Sequence, residues 1–210
     1  MSVHAGQPVT WRGAPLAGAR LALVMLHGRG SSATSILSLA DQLGLDAAVA
    51  IAAPQAAGNT WYPLSFLAPF EQNEPHLSSA LATVAALVAE IRAQGVPPER
   101  IGFVGFSQGA CLALEFAVRH AQRFAGVAGL SGGLIGPPGT EWHYPGHFAY
   151  TPIFLGISDV DAHVPLERVE QSAAVFRSMQ AAVDVRVYPG MGHTINEDEL
   201  IAVRRLFARE

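Results

Sequence analysis

Gly105-Phe106-Ser107-Gln108-Gly109 stands between two apolar runs of different character. The run before it, 100–104, is strand-like, and the run after it, 110–117, is helix-like. A serine in a Gly-x-Ser-x-Gly turn between a strand and a helix exposes its hydroxyl, and the glycines relieve crowding around the turn. This context predicts that Ser107 is a nucleophile, with a plain glycine-rich turn as the alternative.

The rest of the chain repeats the alternation of strand-like and helix-like segments. Strands are predicted at 21–26, 48–53, 101–106, 126–130, 152–157 and 183–188, and helices at 36–43, 74–94, 107–119, 166–181 and 197–209. Such alternation predicts an α/β fold, with a mostly parallel central sheet and helices on both faces. Segment 8–11 is expected to add an antiparallel edge strand. A chain of 210 residues suits one domain, so 1–210 is expected to form a single unit.

The composition is that of a folded protein with no affinity for nucleic acid. Hydrophobic residues make up 50% of the chain and charged residues 14%, which is enough to fill a core. The net charge of −4 comes without any basic run, so nucleic-acid binding is not expected. The first strong apolar run, Leu21–Leu26, is too short to span a bilayer, and the segment before it does not resemble a signal peptide. We therefore expect a soluble cytoplasmic protein without a transmembrane segment.

The single cysteine, Cys111, excludes an internal disulfide framework. It lies four residues after Ser107, just inside the predicted helix. A buried core thiol is the favoured interpretation, and a reactive thiol is the alternative.

A serine hydroxyl needs a base to take its proton and an acid to orient that base. His193 lies in a glycine-rich loop after the last predicted strand and is the expected base. The loop after strand 152–157 supplies two acid candidates, Asp159 and Asp161. We prefer Asp161, because Val164-Pro165 could fix the loop that follows it; helix capping is the alternative role. The order Ser, Asp, His along the chain is that of the α/β-hydrolases.

Acyl transfer also needs N–H donors for the oxyanion that develops on the substrate. One is expected from the residue after the nucleophile, Gln108, and one from the loop after an early strand. His27-Gly28-Arg29-Gly30 is that loop, and the Arg29 N–H is the candidate donor. His27 comes too early in the chain to serve as the base, so a structural role is expected for it.

Two long segments, 55–73 and 132–150, interrupt the alternation and are rich in aromatic residues. Loops of this length in a compact domain are usually functional or mobile. Their rings are expected to shape an apolar pocket near the sheet edge where ligands bind, with Trp61, Phe66 and Trp142 as candidates. The alternative is that these rings cover the core.

Five motifs resemble the phospholipase/carboxylesterase family, which includes the acyl-protein thioesterases and small bacterial carboxylesterases. They are Leu26-His27-Gly28-Arg29-Gly30, Ala53-Pro54-Gln55, Gly105-Phe106-Ser107-Gln108-Gly109-Ala110, Asp161-Ala162-His163-Val164-Pro165 and Gly192-His193. The resemblance implies an α/β-hydrolase fold without a large lid domain. It also implies ester or thioester hydrolysis by Ser107, His193 and Asp161 without a metal or organic cofactor.

Two departures from the thioesterase pattern favour a bacterial-type carboxylesterase. The acid loop lacks their usual His-Gly lead-in, and Arg29 stands where they usually have leucine. The expected substrate is a small-molecule or lipid ester with a small-to-medium acyl group. Lysophospholipid or thioester hydrolysis on the same residues is one alternative, and a non-catalytic binding protein on a hydrolase fold is another.

Overall fold

The computed structural model describes residues 2–208, and all seven strands in this part of the chain belong to one sheet. They are β1 (Val9–Gly13), β2 (Leu21–Leu26), β3 (Val49–Pro54), β4 (Ile101–Phe106), β5 (Gly126–Leu130), β6 (Pro152–Ser158) and β7 (Ala182–Tyr188). Their spatial order is β1-β3-β2-β4-β5-β6-β7. Only the β1–β3 pairing is antiparallel within residues 2–208. The predicted mostly parallel sheet with an antiparallel edge strand is confirmed.

Helices cover both faces of this sheet, as predicted. They are α1 (Ala33–Leu43), α2 (His76–Ala93), α3 (Gln108–Arg119), α4 (Leu166–Ser178) and α5 (Glu197–Phe207). Alternate residues of β2 belong to two buried apolar clusters on opposite faces of the sheet. Ala22, Val24 and Leu26 pack in the cluster that contains α2, α3 and α4. Leu21, Leu23 and Met25 pack in the cluster that contains α1 and α5. A strand points successive side chains to opposite faces, so a strand buried on both faces is apolar throughout.

Some helices begin or end at other residues than predicted because of a side-chain cap or the local backbone conformation. Ser32 caps α1, because its side chain accepts a hydrogen bond from the Ser35 N–H, so the helix begins at Ala33 rather than at 36. The helix predicted over 166–181 ends at Ser178, and Gln180 then adopts a positive φ of 61°. The predicted end of the last helix at 209 lies outside the described residues.

Helix α2 is long and apolar enough to cross a membrane by length and composition alone. Its residues Leu77, Val84, Leu87 and Ile91 are buried in the cluster that α3 and α4 share. A core helix passes the same test of length and composition, so this is weak evidence for a membrane span.

The turn between β4 and α3 brings backbone atoms into contact that only glycine allows. A Cβ at Gly109 would lie 2.1 Å from the Leu26 carbonyl oxygen, and a Cβ at Gly105 would lie 2.3 Å from the Gly109 oxygen. Between these glycines, Ser107 adopts φ 56° and ψ −121°, which is rare for a residue with a side chain. Its N–H donates to the Leu130 oxygen of β5 at 2.9 Å, so neighbouring strands hold the strained residue.

Buried Glu199 caps the start of α5. Its carboxylate accepts from the Asn196 N–H, while Asn196 Oδ1 accepts from the Glu199 N–H, which makes a reciprocal capping box. The other carboxylate oxygen, Oε1, has no hydrogen-bond partner within residues 2–208 and faces Gly156. Burial raises the pKa of Glu199 to about 7, against the opposing effect of the Asn196 N–H.

Gly109→Ala is expected to destabilise the protein strongly, because the new methyl group has to displace the backbone of β2. Overpacking of this kind typically costs about 1–3 kcal/mol, and backbone is less able to move than side chains. Gly28→Ala is the matched control, since its Cβ would meet atoms no closer than 3.4 Å. Thermal unfolding measures both variants. Equal melting temperatures for the two variants would contradict the close packing described for the turn.

Glu199 is expected to make the stability of the protein depend on pH. The native pKa of Glu199 lies above its unfolded value, so between pH 5 and 8 the native state binds more protons at this site than the unfolded state. Glu199 therefore contributes a loss of stability as pH rises, amounting to at most about 3 kcal/mol. Denaturant unfolding across this range is expected to give a shallower decline for Glu199→Gln than for the wild type. Parallel pH dependences would exclude this role for Glu199.

Candidate active site

Ser107, His193 and Asp161 meet at the carboxyl edge of the sheet. Ser107 follows β4, Asp161 lies in the loop after β6, and His193 lies in the loop after β7. His193 Nε2 is 2.9 Å from Ser107 Oγ, and its Nδ1 is 2.7 Å from Asp161 Oδ2. Parallel strands bring the three loops to one edge although Ser107 and His193 are 86 positions apart in the chain. This arrangement is able to pass the hydroxyl proton to a properly oriented imidazole.

The Asp161 side chain has no exposed surface and is held in its ionised form. Burial alone would raise the pKa of Asp161, but hydrogen bonds from His193 and from the N–H groups of His163 and Val164 outweigh it and lower this pKa. Asp161 Oδ1 accepts both N–H groups, at 2.8 and 3.0 Å, and leaves Oδ2 for the imidazole. The helix-capping role considered for Asp161 is not found, because α4 begins at Leu166 without a side-chain cap; the bonds to the His163 and Val164 N–H groups instead fix the acid loop itself.

Asp159, the other acid candidate, serves the backbone of the histidine loop. Its Oδ1 accepts from the Gly190 N–H at 2.8 Å, and the neighbouring Ser158 Oγ accepts from the Gly192 N–H at 3.0 Å. Both glycines have positive φ, which lets the loop turn sharply just before His193. The end of β6 and the loop after it thus hold the imidazole of His193 through Asp161 and the backbone of the histidine loop through Ser158 and Asp159.

The imidazole of His193 lies between two rings. Phe106 is 5.1 Å away between centroids at a tilt of 35°, and His163 is 4.7 Å away at 66°. These contacts limit the rotation of the imidazole about its side-chain bonds. The sequence pattern did not reveal this role of His163, although the residue is part of the acid-loop motif.

Arg29 and Gln108, the expected oxyanion donors, flank the serine. Gln108 is the first residue of α3, and Arg29 lies in the loop after β2. A Cβ at Gly28, the residue before Arg29, would be 3.4 Å from the Ser107 Cβ, so this loop lies directly against Ser107. Within residues 2–208, the backbone N–H groups of Arg29 and Gln108 donate to no protein acceptor. They are therefore free to receive an oxygen.

His27 has the structural role expected for it. The Gly28 oxygen can only accept, so the His27 Nδ1 carries a hydrogen and donates it over 2.8 Å. Its Nε2 accepts from the Ala56 N–H at 3.1 Å. Burial is the main cause that lowers the pKa of His27, which keeps the ring neutral in this position. The ring thereby ties the loop after β2 to the loop after β3.

A cavity of about 630 Å³ opens beside Ser107. The residues lining it are Gly28, Arg29, Ser31, Ser35, Tyr62, Pro63, Leu64, Ser65, Phe66, Phe106, Ser107, Gln108, Cys111, His163, Val164 and His193. None of them carries a carboxylate. Tyr62, Phe66 and Cys111 are buried at its inner end, whereas Leu64 is exposed at the rim. Burial raises the pKa of the Cys111 thiol to about 12, as befits the inert core thiol expected here.

Of the three aromatic pocket candidates, only Phe66 lines this cavity; the expectation for Trp61 and Trp142 was wrong. Trp61 is fully buried behind the cavity wall, and its Nε1–H donates to the His27 oxygen at 2.9 Å. Trp142 packs under the guanidinium of Arg168 at 4.9 Å and donates to the Ile135 oxygen. An irregular loop has no period from which the direction of a ring could be predicted. Tyr62, one of the aromatic residues of segment 55–73 that were expected to shape a pocket, lines the cavity, as does Leu64, which the sequence pattern did not indicate.

The loop over 132–150 closes the core rather than the cavity. Buried Glu115 accepts from Tyr144 Oη at 3.0 Å, from Arg119 Nε at 2.7 Å and from the Ile135 N–H. Buried Arg168 donates to the Leu134 and Gly136 oxygens of the same loop.

Within residues 2–208, no group of three or more His, Cys, Asp or Glu side chains is arranged to hold a metal ion.

Residues 14–208 match the phospholipase/carboxylesterase family. The chain is similar to the acyl-protein thioesterase 1 of Eremothecium gossypii, with 29% identity over 198 residues, or 85% of this chain and 83% of that protein. It is also similar to a probable carboxylesterase of Oryza sativa subsp. japonica, with 30% identity over 142 residues. That match spans 67% of this chain and 52% of the rice protein.

The fold and the sequence also match a solved structure over almost the whole chain. A phospholipase/carboxylesterase from Dyadobacter fermentans superposes with a TM-score of 0.92 at 48% identity, covering 98% of this chain and 97% of that one. The carboxylesterase of Bacillus cereus, at 15% identity and a TM-score of 0.75, shares the fold. This chain therefore belongs to the phospholipase/carboxylesterase family and is a carboxylic ester hydrolase of the α/β-hydrolase fold.

Proposed function

We propose that the protein is a serine carboxylesterase that hydrolyses small-to-medium acyl esters through an acyl-enzyme on Ser107. The observation that carries the proposal is the hydrogen-bonded chain from Ser107 Oγ through His193 to Asp161. His193 Nε2 takes the serine proton as Oγ attacks the ester carbonyl, and it then donates that proton to the leaving alcohol. A water activated by the same imidazole attacks the acyl-enzyme, and the acid and Ser107 are released.

Asp161 acts through the imidazole. Its carboxylate accepts the Nδ1–H, so Nε2 keeps the lone pair that faces Ser107. The lowered pKa of Asp161 keeps a negative charge beside the imidazolium that forms during the reaction. The N–H groups of Arg29 and Gln108 are the proposed donors to the substrate oxyanion, because both flank the serine and neither has a protein acceptor within residues 2–208.

The cavity supports the proposed size of the acyl group. A volume of about 630 Å³ suits a small molecule, and the rings of Tyr62, Phe66 and Phe106 give it apolar walls.

Hydrolysis of acyl thioesters is the second candidate, since a relative similar over most of the chain is named an acyl-protein thioesterase. Lysophospholipids are a further ester class for the same site. We further propose a cytoplasmic single-domain enzyme that works without a metal or organic cofactor.

Ser107→Ala is expected to lower ester turnover by at least about 10⁴-fold, because it removes the atom that forms the acyl-enzyme. Hydrolysis of p-nitrophenyl butyrate measures this loss. A fluorophosphonate probe is expected to label the wild type at Ser107 and to leave the variant unlabelled. Turnover that survives in the variant would contradict the mechanism, and a wild type with neither labelling nor turnover of any activated ester would favour the binding-protein alternative.

Asp161→Asn and Asp159→Asn make a matched pair that separates the two acid candidates. In Asp161→Asn one carboxylate oxygen becomes an NH2 group, which cannot accept a hydrogen bond. The remaining oxygen is needed by the His163 and Val164 N–H groups, so the NH2 group faces Nδ1 and the imidazole hydrogen moves to Nε2; kcat is therefore expected to fall by about 10⁴-fold. Asp159 contacts the Gly190 N–H, and an asparagine can still accept that hydrogen bond through its amide oxygen. The loss of kcat for Asp159→Asn is therefore expected to stay within about tenfold. The reverse ranking of the two variants would assign the acid to Asp159.

A further inference from the structure

Residues 59–64, which we call the wall segment, each form a hydrogen bond with the oxyanion side of the site. The oxyanion side consists of the loop 27–30 and Gln108. The backbone N–H of Gly30 donates to the Asn59 oxygen at 2.8 Å. Five more residues of the wall segment carry hydrogen bonds to His27, Arg29 or Gln108; they are Thr60, Trp61, Tyr62, Pro63 and Leu64. Tyr62, Pro63 and Leu64 also form one wall of the cavity.

The side chain of Gln108 holds the inner end of the wall segment. Its Oε1 accepts from the Trp61 N–H at 2.9 Å, and its Nε2 donates to the Tyr62 oxygen at 2.8 Å. Gln108 is 5% exposed, so these bonds are shielded from competing water. Gln108, whose backbone N–H is a proposed oxyanion donor, thus positions the buried part of the wall segment with its side chain.

The side chain of Arg29 holds the outer end. Its guanidinium donates to the Pro63 oxygen at 2.6 Å, to the Leu64 oxygen, and to Thr60 Oγ1 at 3.3 Å. The planar fork of the guanidinium can donate in parallel to two successive carbonyl oxygens, which a leucine cannot do at all and a point ammonium does less well. Within residues 2–208, no carboxylate lies within ion-pair distance of Arg29. The geometry of Arg29 is therefore set by the wall segment rather than by an acid.

We propose that Arg29 is the positioning residue that sets the width of the acyl cavity and the orientation of the oxyanion donor together. The inference rests on the proposed esterase function. The guanidinium fixes Pro63 and Leu64 at the cavity wall, and the same contacts restrain the backbone of Arg29, whose N–H is the proposed oxyanion donor. Removing the guanidinium therefore loosens both the cavity wall at Pro63 and Leu64 and the backbone of Arg29. Acyl-length selectivity and the rate of the chemical step therefore depend on one side chain.

The test compares Arg29→Leu and Arg29→Lys with Arg12→Leu. Arg12 is the matched control, because its guanidinium donates to a backbone oxygen and to Asp41 away from the cavity. The measurements are kcat and KM for p-nitrophenyl esters from acetate to dodecanoate. Arg29→Leu is expected to lower kcat by about 10-fold or more, since a small misplacement of an oxyanion donor is costly. The ratio of kcat/KM between its best and worst esters is expected to fall by about fivefold or more.

Arg29→Lys is expected to fall between the wild type and Arg29→Leu, and Arg12→Leu is expected to keep the wild-type profile. Hydrogen exchange of the peptide that spans the wall segment gives an independent readout and is expected to speed up in Arg29→Leu. An unchanged length profile together with unchanged exchange in either folded Arg29 variant would overturn the proposal. A wild type that hydrolyses none of these esters would instead overturn the proposed function, so the two failures are distinguishable.

Discussion

The strained backbone at Ser107 is the constraint on which the rest of the site depends. Its positive φ turns the chain from β4 into α3, and the close approach of Gly109 to the Leu26 oxygen lets α3 start directly over β2. The serine hydroxyl is consequently exposed to the cavity, while its N–H is taken by β5. The first N–H of α3, that of Gln108, follows the serine directly and donates to no protein acceptor within residues 2–208. The proposed nucleophile and one proposed oxyanion donor thus belong to one turn, whose strain is compensated by the packing of three strands and a helix.

The loops around this turn are ordered by polar contacts rather than by regular structure. Ser158 and Asp159 hold the backbone of the histidine loop, while Asp161 holds the imidazole itself. On the other side, Arg29 and Gln108 hold the wall segment. Catalysis by pre-positioned groups requires that side chains and donors be held within a fraction of an ångström. These two sets of contacts provide that rigidity where helices and strands end.

Much of the fold was predictable because its signals are local and periodic. The alternation of apolar runs predicted the sheet and its helices, and the order of Ser107, Asp161 and His193 predicted which loops meet. What escaped prediction is the direction in which side chains point in the folded protein: Trp61 points into the core, Trp142 packs under Arg168, and His163 packs edge-on against the imidazole of His193. Residues in irregular loops have no repeating pattern that reveals which way a side chain points. The link between Arg29 and Pro63 joins positions far apart in sequence, so only the fold reveals it.

We propose above all that Ser107 carries the acyl group between two half-reactions, acylation of the enzyme and hydrolysis of the acyl-enzyme. Intact-mass spectrometry after rapid acid quenching, with a slowly deacylating ester as substrate, measures this most directly. We predict that the protein gains the mass of one acyl group and that peptide mapping locates it on the peptide containing Ser107. Steady turnover without any acylated protein, or an acyl group on Cys111 or another residue, would contradict this claim.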